Sequence, residues 1–358
     1  MTGRTLIIAE AGVNHDGYIQ KAYALIDAAK DAGADIVKFQ TFRAASLASA
    51  RAPKAEYQTR TTDAGESQQA MLKRLELSPE AHAPLKAHAE KLGLQFLSTP
   101  FDLASADLLL DLGLPVIKIG SGDLTNAPLL LKLAQAQRAL IISTGMSDLA
   151  EIEESLGVLA FGYAQRQEPP GQRAFAAAWV DPRARATLTD KVTLLHCTTE
   201  YPSPPADANL GAIATLRKAF GLPVGFSDHC EDPSVAVAAV ALGATVIEKH
   251  LTLDRRGDGP DHAASLEPGD FKRLTQAIRT VEAALGDGVK VPRPSEIKNI
   301  PIARKSLVAA RPIRAGQVLS EADIAVKRPG GGKKPIAYWD LVGTVAPRAL
   351  EQDEPIDP

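Results

Sequence analysis

The sequence predicts a (β/α)8 barrel followed by a small β-rich segment, and three observations carry that reading. Eight short apolar runs alternate with helical stretches between Leu6 and His250. One phrase recurs five times among them: Gly33-Ala-Asp, Gly93-Leu-Gln, Gly113-Leu-Pro, Gly221-Leu-Pro and Gly243-Ala-Thr. In each, a glycine closes a helix in a left-handed conformation that costs it little, and a strand begins two residues on. The last two runs, Val224-Gly-Phe-Ser-Asp-His229 and Val246-Ile-Glu-Lys-His250, both end on a histidine. Eight strands joined by one repeated turn are βα units, and eight such units close into a barrel. A doubly wound open sheet is the alternative. It would carry a Gly-rich nucleotide loop after its first strand, and Glu10-Ala-Gly-Val-Asn-His-Asp-Gly17 is not one.

The other strands are Leu6-Ile-Ile-Ala9, Ile36-Val-Lys-Phe-Gln40, Phe96-Leu-Ser-Thr99, Val116-Ile-Lys-Ile119, Leu140-Ile-Ile-Ser143 and Thr193-Leu-Leu-His196. The helices between them show apolar spacing, as in Ala22, Leu25, Ile26 and Ala29. Residues 43–66 are a long polar connection, expected as a flap over the barrel mouth. Residues 165–190, containing Gln167-Glu-Pro-Pro-Gly171, are expected as a surface insertion before the sixth strand. Phe271 to Leu285 reads as the last helix. The expected division is a barrel domain at 1–286, a Pro-containing linker at 287–304 and a small β-rich domain at 305–358.

Composition narrows the function class. The chain has 358 residues, 45% hydrophobic and 23% charged, with a net charge of −3. That balance excludes a general nucleic-acid binder, which carries a basic stripe. An anionic substrate must then be held by local lysines. Cys197 and Cys230 are expected as reduced, buried thiols. No apolar run reaches the length of a membrane span and no signal segment is evident, so the expected location is the cytoplasm.

In such a barrel the C-terminal strand ends build the active site. Here they supply Glu10, Lys38, Gln40, Thr99, Lys118, Ser121, Gly122, Ser143, His196, Thr199, Tyr201, Ser227, His229, Glu248 and His250. His229 and His250 on neighbouring strands form a plausible divalent-metal site with open coordination positions. Lys38 and Lys118 among hydroxyls form an anion cradle for phosphate or carboxylate. The plain reading of either lysine is an ion pair with a neighbouring carboxylate. Glu10, Asp123, Glu248 and Asp261 remain to bind hydroxyls or move protons.

These residues resemble the sialic acid synthases, which include the N-acetylneuraminate, legionaminate and pseudaminate synthases. The matching stretches are Ile8-Ala-Glu-Ala-Gly-Val-Asn-His-Asp-Gly17, Val37-Lys-Phe-Gln40, Leu97-Ser-Thr-Pro-Phe101, Lys118-Ile-Gly-Ser-Gly122, Ser143-Thr-Gly-Met146, Leu195-His-Cys-Thr198, Ser227-Asp-His229, Glu248-Lys-His250 and Gly259-Pro-Asp261. The C-terminal segment, with Val326-Lys-Arg-Pro-Gly330, resembles the family's antifreeze-like (SAF) domain. The resemblance implies condensation of phosphoenolpyruvate with an open-chain N-acylated amino-hexose to give a nine-carbon α-keto acid and phosphate. The hexose would be N-acetylmannosamine or a 2,4-diacetamido-6-deoxyhexose, with the wording leaning towards the legionaminate branch.

The resemblance also implies roles. His229 and His250 look like Mn²⁺ or Mg²⁺ ligands. Lys38, Thr99, Lys118, Ser121, Gly122, Ser143, Tyr201 and Ser227 look like phosphoenolpyruvate contacts, while Glu10, Gln40, Glu248 and Asp261 look like residues on the sugar side. Arg328 is similar to an arginine that reaches the barrel of the other subunit in a domain-swapped homodimer. The chain departs from the pattern at Asp123, where bacterial members often carry Glu, and at Thr199, where many neuraminate synthases carry Asn. Two rivals stand beside this reading: a related synthase making a seven- or eight-carbon keto acid, and a non-enzymatic glycan-binding protein.

Overall fold

A computed structural model describes residues 4–49, 51–63 and 65–356. The chain forms two compact units, Met1–Asp287 and Gly288–Pro358.

The first unit runs β1 (Leu6–Gly12), α1 (Ile19–Asp31), β2 (Ile36–Thr41), then three short helices α2 (Ala44–Leu47), α3 (Glu56–Thr61) and α4 (Gln68–Leu75). It continues α5 (Pro79–Lys91), β3 (Gln95–Pro100), α6 (Leu103–Asp111), β4 (Val116–Ile119), α7 (Ala127–Gln135), β5 (Ala139–Ser143) and α8 (Leu149–Tyr163). After α9 (Gln172–Val180) and α10 (Pro182–Ala186) come β6 (Val192–Cys197), α11 (Ala212–Phe220), β7 (Val224–Asp228), α12 (Ser234–Ala241), β8 (Val246–His250) and α13 (Pro268–Leu285). The eight strands form one parallel sheet in the order β3-β2-β1-β8-β7-β6-β5-β4. β3 and β4 lie side by side, but no ladder joins them among the described residues, so the barrel is nearly closed. The five recurring glycines sit at φ between +68 and +89, the left-handed turns the sequence predicts.

Strand alternation sorts the side chains. Ile7, Ala9, Val37, Phe39, Phe96, Ile117, Ile142, Leu194, Phe226 and Ile247 face the helices in the main core. Ile8, Ile36, Leu97, Ile141, Leu195 and Val246 fill the barrel interior. The next inward positions along these strands are Glu10, Lys38, Thr99, Ser143, Cys197 and Glu248, so every polar group lies one step above a greasy plug. Gly225 is required there: a Cβ would lie 2.4 Å from the Val246 carbonyl oxygen and 2.6 Å from Leu195.

The connection after β2 is not a bare loop. It carries α2, α3 and α4, and Val13, Phe42, Met71 and Leu75 form a satellite core beneath it. The insertion at 165–190 carries α9 and α10, which bury Ala178 and Ala184. It docks on α8, with Phe161 and Phe175 edge to face at 5.3 Å.

The second unit has short helices α14 (Pro294–Ile297) and α15 (Ile300–Ala303) in the stretch read as linker. Antiparallel β9 (Ser306–Ala309) and β10 (Ile324–Lys327) follow, then α16 (Tyr338–Leu341). Leu307, Ala309, Ile313, Leu319, Ile324, Leu341 and Leu350 make its core.

Candidate active site

The C-terminal strand ends enclose a cavity of about 300 Å³. Fifteen of the eighteen residues singled out from the sequence line it: Glu10, Lys38, Gln40, Thr99, Lys118, Ser121, Gly122, Ser143, Thr199, Tyr201, Ser227, His229, Glu248, His250 and Asp261.

Its floor is a buried charge network. Lys38 Nζ lies 2.7 Å from Glu10 Oε2 and 3.6 Å from Glu248 Oε2. Lys118 Nζ lies 3.6 Å from Glu248 Oε1 and donates to Ser143 Oγ at 2.6 Å. Ser227 donates to Glu248 at 2.8 Å, and Gln40 to Glu10 at 3.1 Å. Both lysines are 4% exposed or less, so their charges persist only because carboxylates face them. Burial pushes the Glu10 carboxyl up against the opposing pull of Lys38. Burial acts the same way on Glu248, but Lys118 and Lys38 together hold it down at about 2. Burial pulls the Lys118 ammonium down; on Lys38 the two carboxylates outweigh burial and push it up. The plain reading of each lysine as an ion pair is therefore present, inside the anion cradle and not instead of it.

Beside this network stand the imidazoles, ring centroids 5.5 Å apart, with the Tyr201 ring 4.1 Å from that of His229. His229 Nδ1 lies 2.6 Å from the Thr198 carbonyl oxygen. A carbonyl only accepts, so Nδ1 carries the proton and Nε2 keeps its lone pair. Burial lowers His229 to about 4 and His250 well below its usual value, so both rings are neutral at pH 7. His250 Nδ1 is buried with no hydrogen-bond partner, and Asp261 Oδ2 lies 3.7 Å from it. Neutral imidazoles with an unsatisfied nitrogen fit a divalent ion that keeps open positions. Among the described residues no group of three or more His, Cys, Asp or Glu side chains is arranged to hold a metal ion. Burial, with Glu10 adding, pushes Asp261 up to about 7.

The neighbouring loops are locally forced. Gly145 donates its backbone N–H to Ser121 Oγ at 3.0 Å, and a Cβ there would sit 2.4 Å from Thr199 Oγ1. The loop after β8 is tied to the one after β1 by Asn14, which donates to the Leu251 carbonyl and to Ser265 Oγ, both at 2.9 Å.

Three residues singled out from the sequence are not among those lining the cavity. Asp123 sits one residue beyond Gly122 with its carboxylate accepting from Asn126 at 2.8 Å. Arg328 lies exposed in the second unit. His196 is also set apart, because alternation turns it outward: Nε2 bonds the Ala208 carbonyl at 2.8 Å, and Cys197 takes the inward place. The expected flap at 43–66 supplies Leu47 and Gln58 to the cavity's upper wall, whereas sequence reasoning did not single out its other members, Val13, Gln68, Met71, Leu72, Leu75 and Phe101. The spacing of Met71, Leu72 and Leu75 is an amphipathic-helix signal that could have found it. It also missed Asp228 and Lys249, a fully buried pair at 2.8 Å facing away from the cavity.

Comparison with known proteins shows the family. The profile of the NeuB family matches residues 25–290, and that of the SAF domain matches residues 304–358. The chain is 48% identical over 351 residues to the N,N'-diacetyllegionaminic acid synthase of Campylobacter jejuni, covering 98% of each chain. It is 43% identical over 338 residues to the enzyme of that name from Legionella pneumophila, covering 94% of this chain and 89% of the relative. Among solved structures, the N-acetylneuraminic acid synthetase of Leptospira borgpetersenii superposes with a TM-score of 0.66 at 30% identity, over 84% of this chain and 91% of that one. A family profile over most of the barrel, an SAF domain after it and relatives above 40% identity over nearly the whole chain lead to one conclusion: the chain belongs to the NeuB family.

Proposed function

We infer that the protein is a nonulosonic acid synthase that joins phosphoenolpyruvate to an open-chain N-acylated amino-hexose, giving a nine-carbon α-keto acid and phosphate. The observation that carries this is the floor of the cavity: two buried lysines share one carboxylate, among hydroxyls, beside two neutral imidazoles. The acceptor we propose is the 2,4-diacetamido-6-deoxyhexose, since the Campylobacter jejuni relative is an N,N'-diacetyllegionaminic acid synthase. N-acetylmannosamine is the second candidate.

The chain's own groups divide the work. Lys38 and Lys118, with Ser143 and Thr99, bind the anionic ends of phosphoenolpyruvate; arrival of the anion loosens their pairing with Glu10 and Glu248. A new carbon–carbon bond forms between the enol carbon and the aldehyde, whose oxygen takes up a proton. Asp261 holds a proton near neutral pH and is suited to supply it. Water then adds to the cationic C2, and Glu10, whose basicity burial raises, accepts its proton. The carbon–oxygen bond to phosphate breaks as the ketone forms, the C2 hydroxyl proton passes to the departing phosphate, and the lysines offset the charge on the leaving group. His229 and His250 would hold Mn²⁺ or Mg²⁺, which when bound supplies Lewis-acid polarisation of the aldehyde.

The reading extends to assembly and location. A homodimer with exchanged C-terminal domains would bring Arg328 to the partner's acceptor. Ile302, Ile336 and Trp339, 68%, 84% and 74% exposed in the second unit, suit a covered surface. Cys197 and Cys230 are free thiols and no described helix is long and apolar enough to cross a membrane, in keeping with a cytoplasmic enzyme. The test is phosphate release from phosphoenolpyruvate with a panel of N-acylated hexoses, before and after chelation. Release with a diacetamido acceptor, lost on chelation and restored by Mn²⁺ or Mg²⁺, is expected; no release with any hexose overturns the proposal.

A further inference from the structure

The cavity is two-faced. Its floor is made of strand-end charges and hydroxyls, while its roof comes from the connection after β2 and the start of the loop after β3. Met71 and Leu75 are at most 3% exposed and belong to the satellite core that seats the roof. Leu47, Leu72 and Phe101 pack on that core, stay half-buried, and line the cavity. Phe101 is held edge to face by Phe42 at 6.2 Å. None of the three can donate or accept a hydrogen bond. A hydroxyl pressed against them loses its water with no replacement, whereas a methyl group gains by leaving water. Gln58 and Gln68 share this roof, with Gln68 Nε2 3.5 Å from Gln58 Oε1, and carry the donors and acceptors an acyl amide requires.

We propose that Leu47, Leu72 and Phe101 are specificity-determining residues that read the methyl-bearing end of the acceptor, selecting a deoxy, doubly acylated hexose over a hydroxylated one. This rests on the reading of the floor as the phosphoenolpyruvate and aldehyde site. With the aldehyde beside the imidazoles, the far carbons of the hexose extend towards the roof. A 2,4-diacetamido-6-deoxyhexose offers methyl groups there, and N-acetylmannosamine offers hydroxyls at C4 and C6.

The test compares these two acceptors in the full chain. The unmodified protein should favour the deoxy acceptor in kcat/KM by at least about tenfold, the scale of one or two apolar groups in a fitted pocket. Leu72→Asn is nearly isosteric and half-exposed. It should cost the deoxy acceptor about 10–30-fold more in kcat/KM than it costs N-acetylmannosamine, with the KM for phosphoenolpyruvate nearly constant. Leu47→Gln is the second variant should Leu72→Asn fail to fold, and the same divergence is expected. An equal loss on both acceptors, no loss on either, or equal use of both by the unmodified protein overturns the inference while leaving the synthase reading intact. No phosphate release with either acceptor overturns the reading it rests on.

Discussion

Lys118 shows how much one side chain in this barrel is asked to hold. It is 2% exposed, donates to Ser143, and faces Glu248 at 3.6 Å without a short ion pair of its own. Burial pulls its ammonium down, so an incoming anion is its best available partner. Lys118→Met keeps the stem and removes the charge; it should weaken phosphoenolpyruvate binding by about 1.5–3 kcal/mol, read by calorimetry. An unchanged dissociation constant would remove Lys118 from the anion site. Asp323 in the second unit makes the opposite case, a carboxylate saturated by its own chain. It accepts from Ser320 N and Oγ, Arg311 Nε and Gln317 Nε2, at 2.6 to 3.1 Å, and these donors hold it at about 2. A carboxyl depressed on folding stabilises fully above its unfolded value near 4 and loses that as pH falls towards 2. Asp323→Asn should therefore cost about 1–2 kcal/mol at pH 7, the scale of a lost cap, and the difference should close below pH 3 in acid titration of unfolding. Polar strand-end residues were legible because strand period and apolar context fix which way each points. His196 was misplaced for want of parity, which fixes its direction only once Cys197 is counted as the inward residue.

Elements were legible where chemistry repeats locally. Five glycine turns announce themselves through a conformation other residues avoid, and the eight apolar runs need no partner to be recognised. The roof was harder, because its helices are short and anchored by distant groups. Lys54 is the clearest anchor: Nζ donates to Thr62 Oγ1 at 2.9 Å, the Asp63 carbonyl at 2.6 Å and Glu66 Oε1 at 3.1 Å. Glu66 in turn pairs with Arg74 on α4 at 2.7 Å. One cation thus gathers the residue that ends α3 and the turn after it, and through Glu66 it reaches Arg74 on α4, a link between residues 54 and 74 that no short sequence window contains. Lys54→Met leaves three acceptors without that donor and should loosen the roof without touching the floor. The expected result is a KM for the hexose raised about fivefold, as for about 1 kcal/mol of lost hydrogen bonding, with kcat and the KM for phosphoenolpyruvate nearly constant. Faster proteolysis between residues 51 and 66 should accompany it. A fall in kcat alone would mean that Lys54 acts on the chemistry and not on the roof.

At the scale of the whole molecule the question is where Arg328 works. It is exposed in the second unit, and among the described residues its side chain forms no hydrogen bond or ion pair. A guanidinium is always charged and presents several donors in a plane, which suits the carbonyl oxygen of an N-acyl group. The reach between the units is shorter than the sequence suggests. The stretch from Gly286 to Ile302 would span roughly 50 Å if wholly extended, but α14 and α15 take up its second half. Gly286 to Arg293, between α13 and α14, spans at most about 28 Å, still a distance on the scale of a small domain. If Arg328 serves a partner's barrel, Arg328→Ala should raise the KM for the hexose far more than that for phosphoenolpyruvate. Mixing Arg328→Ala with Lys118→Met, each inactive at low substrate, should then restore activity once subunits exchange. In such a mixed dimer one barrel has an intact Lys118 from its own chain and an intact Arg328 from its partner. That barrel should supply up to about half of the sites in each heterodimer, and activity should rise with the heterodimer fraction measured by native mass spectrometry. Verified heterodimers that stay inactive would place Arg328 in service of its own barrel or of none.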